Sequence, residues 1–181
     1  MISKKDKKFL ENLINKFHNY FNNNSKKYPL LEKGFTNEDV MRGIEVLLSR
    51  KLTMSEITKK FEYTFSKFVG SKYALMVNSG SSANLLALSL ITNPMRKIKL
   101  SPGDEVIIPV VCWSTSLWPI IQHSLKPVFV DVNLKNLNIN LNDLKKKITK
   151  KTKAIFCVHV LGLSTDMFKL KKIANKNKIL I

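Results

Sequence analysis

The feature that most constrains this chain is an apolar run that passes through a serine-rich turn into a second apolar run. Residues 73–77 predict a buried strand, and residues 85–90 predict a buried helix. Gly80 in the turn between them allows the backbone to turn tightly. A strand-to-helix turn presents backbone N–H groups at the positive end of the helix dipole, where phosphate commonly binds. A plain helix with Ser79 or Ser81 as its N-cap explains the same residues.

Length and composition favour one globular core. The chain has 181 residues, of which 44% are hydrophobic. Its apolar runs fall short of the roughly 20 residues that a membrane helix needs, and its lysine-rich N-terminus is not followed by the apolar stretch of a secretory signal. A cytoplasmic location and no membrane partner are therefore expected. The cysteine and histidine spacings do not predict a metal site.

The formal net charge of +18 raises the question of nucleic-acid binding. The positive charge is almost entirely lysine, since arginine occurs only at Arg42, Arg50 and Arg96. Arginine is the residue that contacts phosphates and guanine through two hydrogen bonds at once, and no motif of a nucleic-acid reader accompanies the lysines. We therefore expect no nucleic-acid partner, and a basic nucleic-acid-binding module is kept only as a third interpretation.

The sequence pattern changes from helical spacing to alternating strands and helices near residue 73. Residues 1–51 predict an N-terminal helical region, in which Asn37 is the expected cap of the second helix. Ser55 is expected to cap a third helix and Gly70 to end it. A segment around Tyr28-Pro29-Leu30 is expected to be extended.

Beyond this point, short apolar runs separated by helical segments predict a mostly parallel sheet with helices on both faces. Strands are expected at residues 73–77, 105–109, 127–130, 154–158 and 179–181. Because no helix follows the last strand to cover it, the chain is expected to be the front part of a longer α/β domain.

Several motifs occur in an order and at a spacing that are typical of one family. They are Leu52-Thr53-Met54, residues 61–70, Asn78-Ser79-Gly80-Ser81-Ser82-Ala83-Asn84, Pro102-Gly103-Asp104-Glu105-Val106-Ile107, Pro127-Val128-Phe129-Val130-Asp131-Val132, Lys151-Thr152-Lys153-Ala154-Ile155 and His159-Val160-Leu161-Gly162. From about Tyr28 to residue 181 the chain resembles the DegT-type sugar aminotransferases. These are pyridoxal-phosphate enzymes of the aspartate-aminotransferase fold that act on nucleotide-linked keto sugars.

The resemblance implies a cofactor site. Residues 52–181 would be an incomplete large domain of pyridoxal-phosphate fold type I, and the cofactor would be pyridoxal or pyridoxamine 5′-phosphate. Ser81 and Ser82, next to Gly80, would bind its phosphate through backbone N–H groups. Trp113 would stack on its ring, although a core tryptophan is the alternative. His159 would lie near the cofactor, or would be a hydrogen-bonded structural histidine.

The same resemblance implies the reaction class. The motifs at residues 52–54 and 78–84 are most similar to the sugar 3-dehydratase branch, which acts on a nucleotide-linked 4-keto-6-deoxy sugar, while aminotransferases of the family also use an amino donor such as glutamate. The proton-carrying lysine or histidine and the ring-nitrogen acid are expected beyond residue 181, so no catalytic residue is assigned within the chain. A homodimer is implied. The alternative is an inactive remnant that docks on an intact homologue.

Overall fold

The computed structural model describes residues 3–23 and 34–181. The chain divides into two compact units, Met1–Met76 and Val77–Ile181. The division at residues 51 and 52 that the sequence suggests stays a prediction. The predicted extended segment around Tyr28-Pro29-Leu30 lies outside the described residues.

The described residues of the first unit form three helices: α1 (Lys4–Asn23), α2 (Asn37–Ser49) and α3 (Glu56–Val69). The predicted cap of α2 at Asn37 is wrong by one residue, because Thr36 and Asp39 form a reciprocal capping box. The Thr36 N–H donates to the Asp39 carboxylate at 2.6 Å, and the Asp39 N–H donates to the Thr36 hydroxyl at 3.3 Å. The ends of α3 are confirmed, since Ser55 caps its start and Gly70, with φ 69°, closes it in the left-handed conformation.

Residues 73–77 do not form the predicted buried strand. Tyr73 and Leu75 are exposed, and the N–H of Met76 donates to the Glu62 carboxylate at 2.8 Å instead of joining a ladder. A strand exists only through hydrogen bonds to a neighbouring strand, and none of the described segments pairs with this one. The prediction is wrong because an apolar, β-prone run supplies the tendency but not the partner.

The second unit alternates helices with a three-stranded parallel sheet of order β2-β1-β3. Its elements are α4 (Gly80–Thr92), β1 (Glu105–Pro109), α5 (Ser114–Gln122), β2 (Lys126–Val130), α6 (Leu141–Lys147), β3 (Thr152–Ile155), a 3₁₀ turn (Val160–Gly162) and α7 (Met167–Asn177). The predicted strand at residues 105–109 is confirmed at both ends. The alternation of short apolar runs with helices therefore predicted the sheet correctly.

The last two strands differ in extent from the prediction. The strand expected at residues 154–158 runs instead from Thr152 to Ile155. The strand expected at residues 179–181 is a single parallel bridge between Ala154 and Leu180. Leu180 accepts from the Ile155 N–H at 2.8 Å, and its own N–H donates to the carbonyl of Lys153 at 3.0 Å.

The core lies on both faces of the sheet, with β1 buried along its whole length. Val106 and Ile108 pack on one face with residues of α4 and α5. Ile107 packs on the opposite face with residues of α6 and α7. This alternation follows from the period of two in a strand and covers both faces, as a parallel sheet requires. Among the described residues, no helix combines the length and the apolar character needed to cross a membrane.

Candidate functional site

The carboxyl ends of β1 and β3 flank a topological switch point. From β1 the chain passes through α5, on one face, to β2; from β3 it passes through α7, on the other face, to Leu180 on the far side of β3. Ligands of parallel sheets bind in the crevice that opens where neighbouring connections diverge in this way. Trp113 lies just after β1 and His159 just after β3, so the topology brings both of these loops to the same crevice.

The first turn of α4 is capped by Ser79 and still presents backbone donors. The Ser79 hydroxyl oxygen accepts from the Ser82 N–H at 3.1 Å, so one of the two predicted phosphate donors is used in the cap. The N–H groups of Gly80 and Ser81 precede the first intrahelical hydrogen bond and lie at the positive end of the helix. The capped helix and the anion site are therefore compatible descriptions of the same turn.

Gly80 does not make the tight turn that the sequence suggests. Ser79, in an extended conformation with φ −162° and ψ 161°, is the N-cap, and Gly80 is the first helical residue, outside the left-handed region. A Cβ at Gly80 would meet nothing within 4 Å, so the space beside the helix terminus is open. The open space and the first-turn N–H groups fit a phosphate group that approaches the backbone closely.

Trp113 is exposed at the start of α5. It is the N-cap residue of that helix, and 73% of it is accessible, so it is not buried within the described chain. Trp118 on the same helix is 53% accessible and is not a core residue either. An exposed indole beside a crevice offers a flat apolar face on which a conjugated ring can stack.

Two side-chain contacts hold α4 and α5 side by side. The amide nitrogen of Asn84 lies 3.4 Å from the carbonyl oxygen of Thr115 and 3.4 Å from the hydroxyl of Ser116. Further along both helices, the Ser89 hydroxyl lies 2.9 Å from Nε2 of His123. The two helix N-termini therefore lie together, which reinforces the positive potential at the crevice. Sequence reasoning missed the role of Asn84. The feature that could have revealed it is a side-chain amide within a largely apolar helix.

His159 takes part in a loop contact. Its Nδ1 lies 3.2 Å from the backbone nitrogen of Thr165, and because an N–H only donates, Nδ1 accepts and the ring proton is on Nε2. The ring is thus hydrogen-bonded, as one of the two expectations for it states. A contact between His159 and a cofactor stays a prediction.

Asn138 anchors the loop that carries His159. Only 2% of it is accessible; its amide nitrogen donates to the carbonyl of Leu163 at 3.0 Å, and its amide oxygen accepts from the Val160 N–H at 3.1 Å. Sequence reasoning missed this residue, because asparagine is abundant in the chain and nothing in the local pattern distinguishes Asn138.

The ionisable groups near the strand ends serve local structure. The N–H of Asp131 donates to the Asp143 carboxylate at 2.9 Å, and this bond, with help from Lys147, lowers the pKa of Asp143. Burial raises the pKa of the thiols of Cys112 and Cys157, so both are neutral and poor nucleophiles. No cluster of possible metal ligands occurs in the part of the chain that the structure describes.

The parallel sheet, its flanking helices and the crevice at the switch point define the chain as part of the large domain of the aminotransferase fold, which is the fold of pyridoxal-phosphate enzymes. The chain belongs to the DegT/DnrJ/EryC1/StrS aminotransferase family, whose family model matches residues 35–181. The predicted fold class and family are confirmed.

The relatives include sugar 3-dehydratases. The chain is 40% identical over 154 residues to the GDP-4-keto-6-deoxy-D-mannose 3-dehydratase of Yersinia pseudotuberculosis, an alignment that covers 85% of this chain and 39% of that protein. It is 33% identical over 118 residues to the GDP-perosamine synthase of Vibrio cholerae, covering 65% of this chain and 30% of that protein. The chain thus spans well under half the length of these relatives.

Solved structures of the same class have a closely similar fold. The E. coli GDP-4-keto-6-deoxy-D-mannose-3-dehydratase with bound hydrated PLP matches with a TM-score of 0.79 at 39% identity, over 85% of this chain and 40% of that one. A variant of a GDP-4-keto-6-deoxymannose-3-dehydratase with bound GDP-perosamine matches with a TM-score of 0.80 at 39% identity, over 85% and 40% of the two chains.

Proposed function

We propose that this chain is the N-terminal part of a pyridoxal- or pyridoxamine-phosphate-dependent enzyme that acts on a nucleotide-linked 4-keto-6-deoxy sugar. The reaction is a 3-dehydration or an amino transfer, in the synthesis of surface polysaccharide or another deoxysugar product in the cytoplasm. The observation that carries the proposal is that the N-termini of α4 and α5 are joined at the switch point, with Trp113 exposed beside them. The chain that has this arrangement is 40% identical to a 3-dehydratase.

In this proposal the first turn of α4 binds the phosphate of the cofactor. The N–H groups of Gly80 and Ser81 donate to it, and the hydroxyl of Ser81 is a further donor in reach of the same turn. Hydrogen bonds to a charged acceptor are the stronger class, so this turn provides most of the affinity. Ser82 contributes by holding the turn, because its N–H is used by the Ser79 cap.

Trp113 orients the ring of the cofactor. Its exposed indole stacks on one ring face and excludes water from it. The bound cofactor supplies an electron sink for charge that develops on the substrate. His159, on the loop after β3, closes the same crevice with the Nε2–H as its donor. The residue that separates aminotransferases from dehydratases is expected beyond residue 181, and the proposal covers both branches.

We place the active enzyme in a homodimer. Large apolar side chains that a second copy could cover are exposed in each unit, among them Trp118 on α5 and the stacked rings of Phe61 and Phe65 on α3, whose centroids are 5.7 Å apart. Light scattering at micromolar protein concentration tests this. A monomer would contradict the dimer, and a complex formed only with an intact homologue would support the remnant instead.

Calorimetric titration with pyridoxamine 5′-phosphate tests the proposed function. This form has no aldehyde, so it cannot react with the abundant lysines. We expect one site per chain, and we expect pyridoxamine without the phosphate to bind at least ten times more weakly, since the turn recognises the anion. Equal affinity for both compounds, or no binding, would contradict the site. Turnover of a GDP- or dTDP-linked 4-keto-6-deoxy sugar with glutamate by the full-length enzyme tests the reaction class.

A further inference from the structure

We propose that Asn84 is a positioning residue that sets the distance and angle between the phosphate-binding turn and Trp113. This inference rests on the proposed function and adds to it a residue that contacts neither the phosphate nor the ring. Asn84 lies in the second turn of α4, after the two donor residues Gly80 and Ser81.

The contact that Asn84 makes is directional. Its partners are the carbonyl oxygen of Thr115 and the hydroxyl of Ser116, both in the first turn of α5 and both at 3.4 Å. A carbonyl only accepts, so the amide nitrogen must face α5. The side chain is half-buried, which limits competition from water for this bond.

The placement of the contact explains why it matters for a flat ligand. The phosphate and the ring of such a cofactor are joined by one short methylene–oxygen link, which limits their separation, but Gly80 and Ser81 are on α4 whereas Trp113 is the N-cap of α5. Both ends of the ligand fit only if the two helix N-termini keep one relative position. The side chain of Asn84 joins these two ends through its hydrogen bonds. The core packing of Leu88 with Ile120 holds the helices together further along.

A second contact between the same helices provides the matched control. Ser89 and His123 join α4 and α5 away from the crevice, at 2.9 Å. Ser89→Ala removes an interhelical hydrogen bond of the same kind, but it does not alter the contact next to Trp113. A purely structural role for Asn84 predicts that both substitutions behave alike.

The experiment compares two probes in the purified full-length enzyme. Pyridoxamine 5′-phosphate needs both helices, whereas inorganic phosphate, measured as its competitor, needs only the turn of α4. We expect Asn84→Ala to weaken pyridoxamine phosphate binding by about fivefold, as the loss of one neutral hydrogen bond implies, and to leave the inhibition constant of phosphate unchanged. We expect Ser89→Ala to change neither constant by as much as twofold.

Other outcomes would overturn the inference. Equal weakening of both probes would show that Asn84 supports the turn itself, and unchanged binding would show that the contact is dispensable. Asn84→Leu, which keeps the branching and the number of heavy atoms but has no N–H, repeats the test if the alanine variant folds poorly. If the unsubstituted protein binds pyridoxamine phosphate but Asn84→Ala does not affect the two probes differently, only this inference fails. If the unsubstituted protein does not bind pyridoxamine phosphate at all, the proposed function fails as well.

Discussion

The hydroxyl oxygen of Ser79 accepts a hydrogen bond from the backbone N–H of Ser82 at 3.1 Å. This bond caps α4 within the turn that we propose for the cofactor phosphate. The backbone N–H of Ser82 therefore holds the helix end. The backbone N–H groups of Gly80 and Ser81 are directed away from the helix body.

The division of donors predicts opposite effects for proline at adjacent positions. The first turn of a helix tolerates proline, because its N–H groups have no intrahelical acceptor. Ser81→Pro should therefore leave the melting temperature nearly unchanged and weaken competition by inorganic phosphate, because it removes one of the two N–H donors. Ser82→Pro should instead lower the free energy of unfolding by about 1 kcal/mol through loss of the cap. If Ser81→Pro left competition by phosphate unchanged, the N–H of Ser81 would not be a donor.

Trp113→Ala should weaken pyridoxamine phosphate binding by roughly tenfold, a loss of the order expected for one stacked aromatic. The melting temperature should hardly change, because the indole is mostly exposed. Trp118→Ala, on the same helix and also exposed, is the control, and it should leave the dissociation constant of the cofactor unchanged. Equal effects of the two substitutions would remove Trp113 from the site.

The surroundings of Glu105 predict that part of the free energy of unfolding depends on pH. Its carboxylate is only 6% accessible and accepts from the hydroxyls of Thr149 at 2.5 Å and Thr152 at 3.2 Å. These bonds, that of Thr149 first, lower the pKa of Glu105, with a smaller contribution from Lys126. A pKa that is lower in the folded than in the unfolded state stabilises the fold above the unfolded value, and this stabilisation is lost as the pH falls through the folded value.

We therefore expect Glu105→Gln to lower the free energy of unfolding by about 1 kcal/mol at pH 7, which is the difference between a charged and a neutral hydrogen-bond acceptor. The deficit should shrink as the pH falls below the ordinary pKa of a glutamate, because the wild-type carboxylate then becomes protonated. Thermal melts from pH 7 downwards measure the deficit. Glu56→Gln, at an exposed ion pair with Lys59, is the control, with a change of a few tenths of a kcal/mol at most. A deficit for Glu105→Gln that is constant with pH would contradict this account.

Asn138→Ala should destabilise the protein by about 1–3 kcal/mol, because it removes two hydrogen bonds, one to the carbonyl of Leu163 and one from the N–H of Val160. Limited proteolysis should then cut near His159 sooner than in the wild type. Asn142→Ala, at an exposed position of α6, is the control and should be neutral or slightly stabilising. Unchanged cleavage near His159 would show that Asn138 does not anchor this loop.

Local sequence determines those strands and caps whose physical cause lies within a few neighbouring residues. Residues 105–109 were predictable as β1 because Val106, Ile107 and Ile108 are three consecutive apolar, β-branched residues, as a strand buried on both faces requires. Gly70 was predictable as a helix end because a left-handed residue favours glycine. The order of motifs was enough to predict the family and the fold class. Gly80, Ser81 and Trp113 were recognisable as candidates by their position after a strand or before a helix.

Tertiary structure decided everything that depends on a partner distant in the chain. Residues 73–77 have the composition of a strand, but a ladder needs a second strand, and their apolarity could not supply one. The hydrogen bonds of Asn84 with Thr115 and of Glu105 with Thr149 join residues 31 and 44 positions apart. Local sequence encodes backbone preference and hydrophobic period, whereas the site arises where two helices and two strand ends meet, and only the folded chain brings these together.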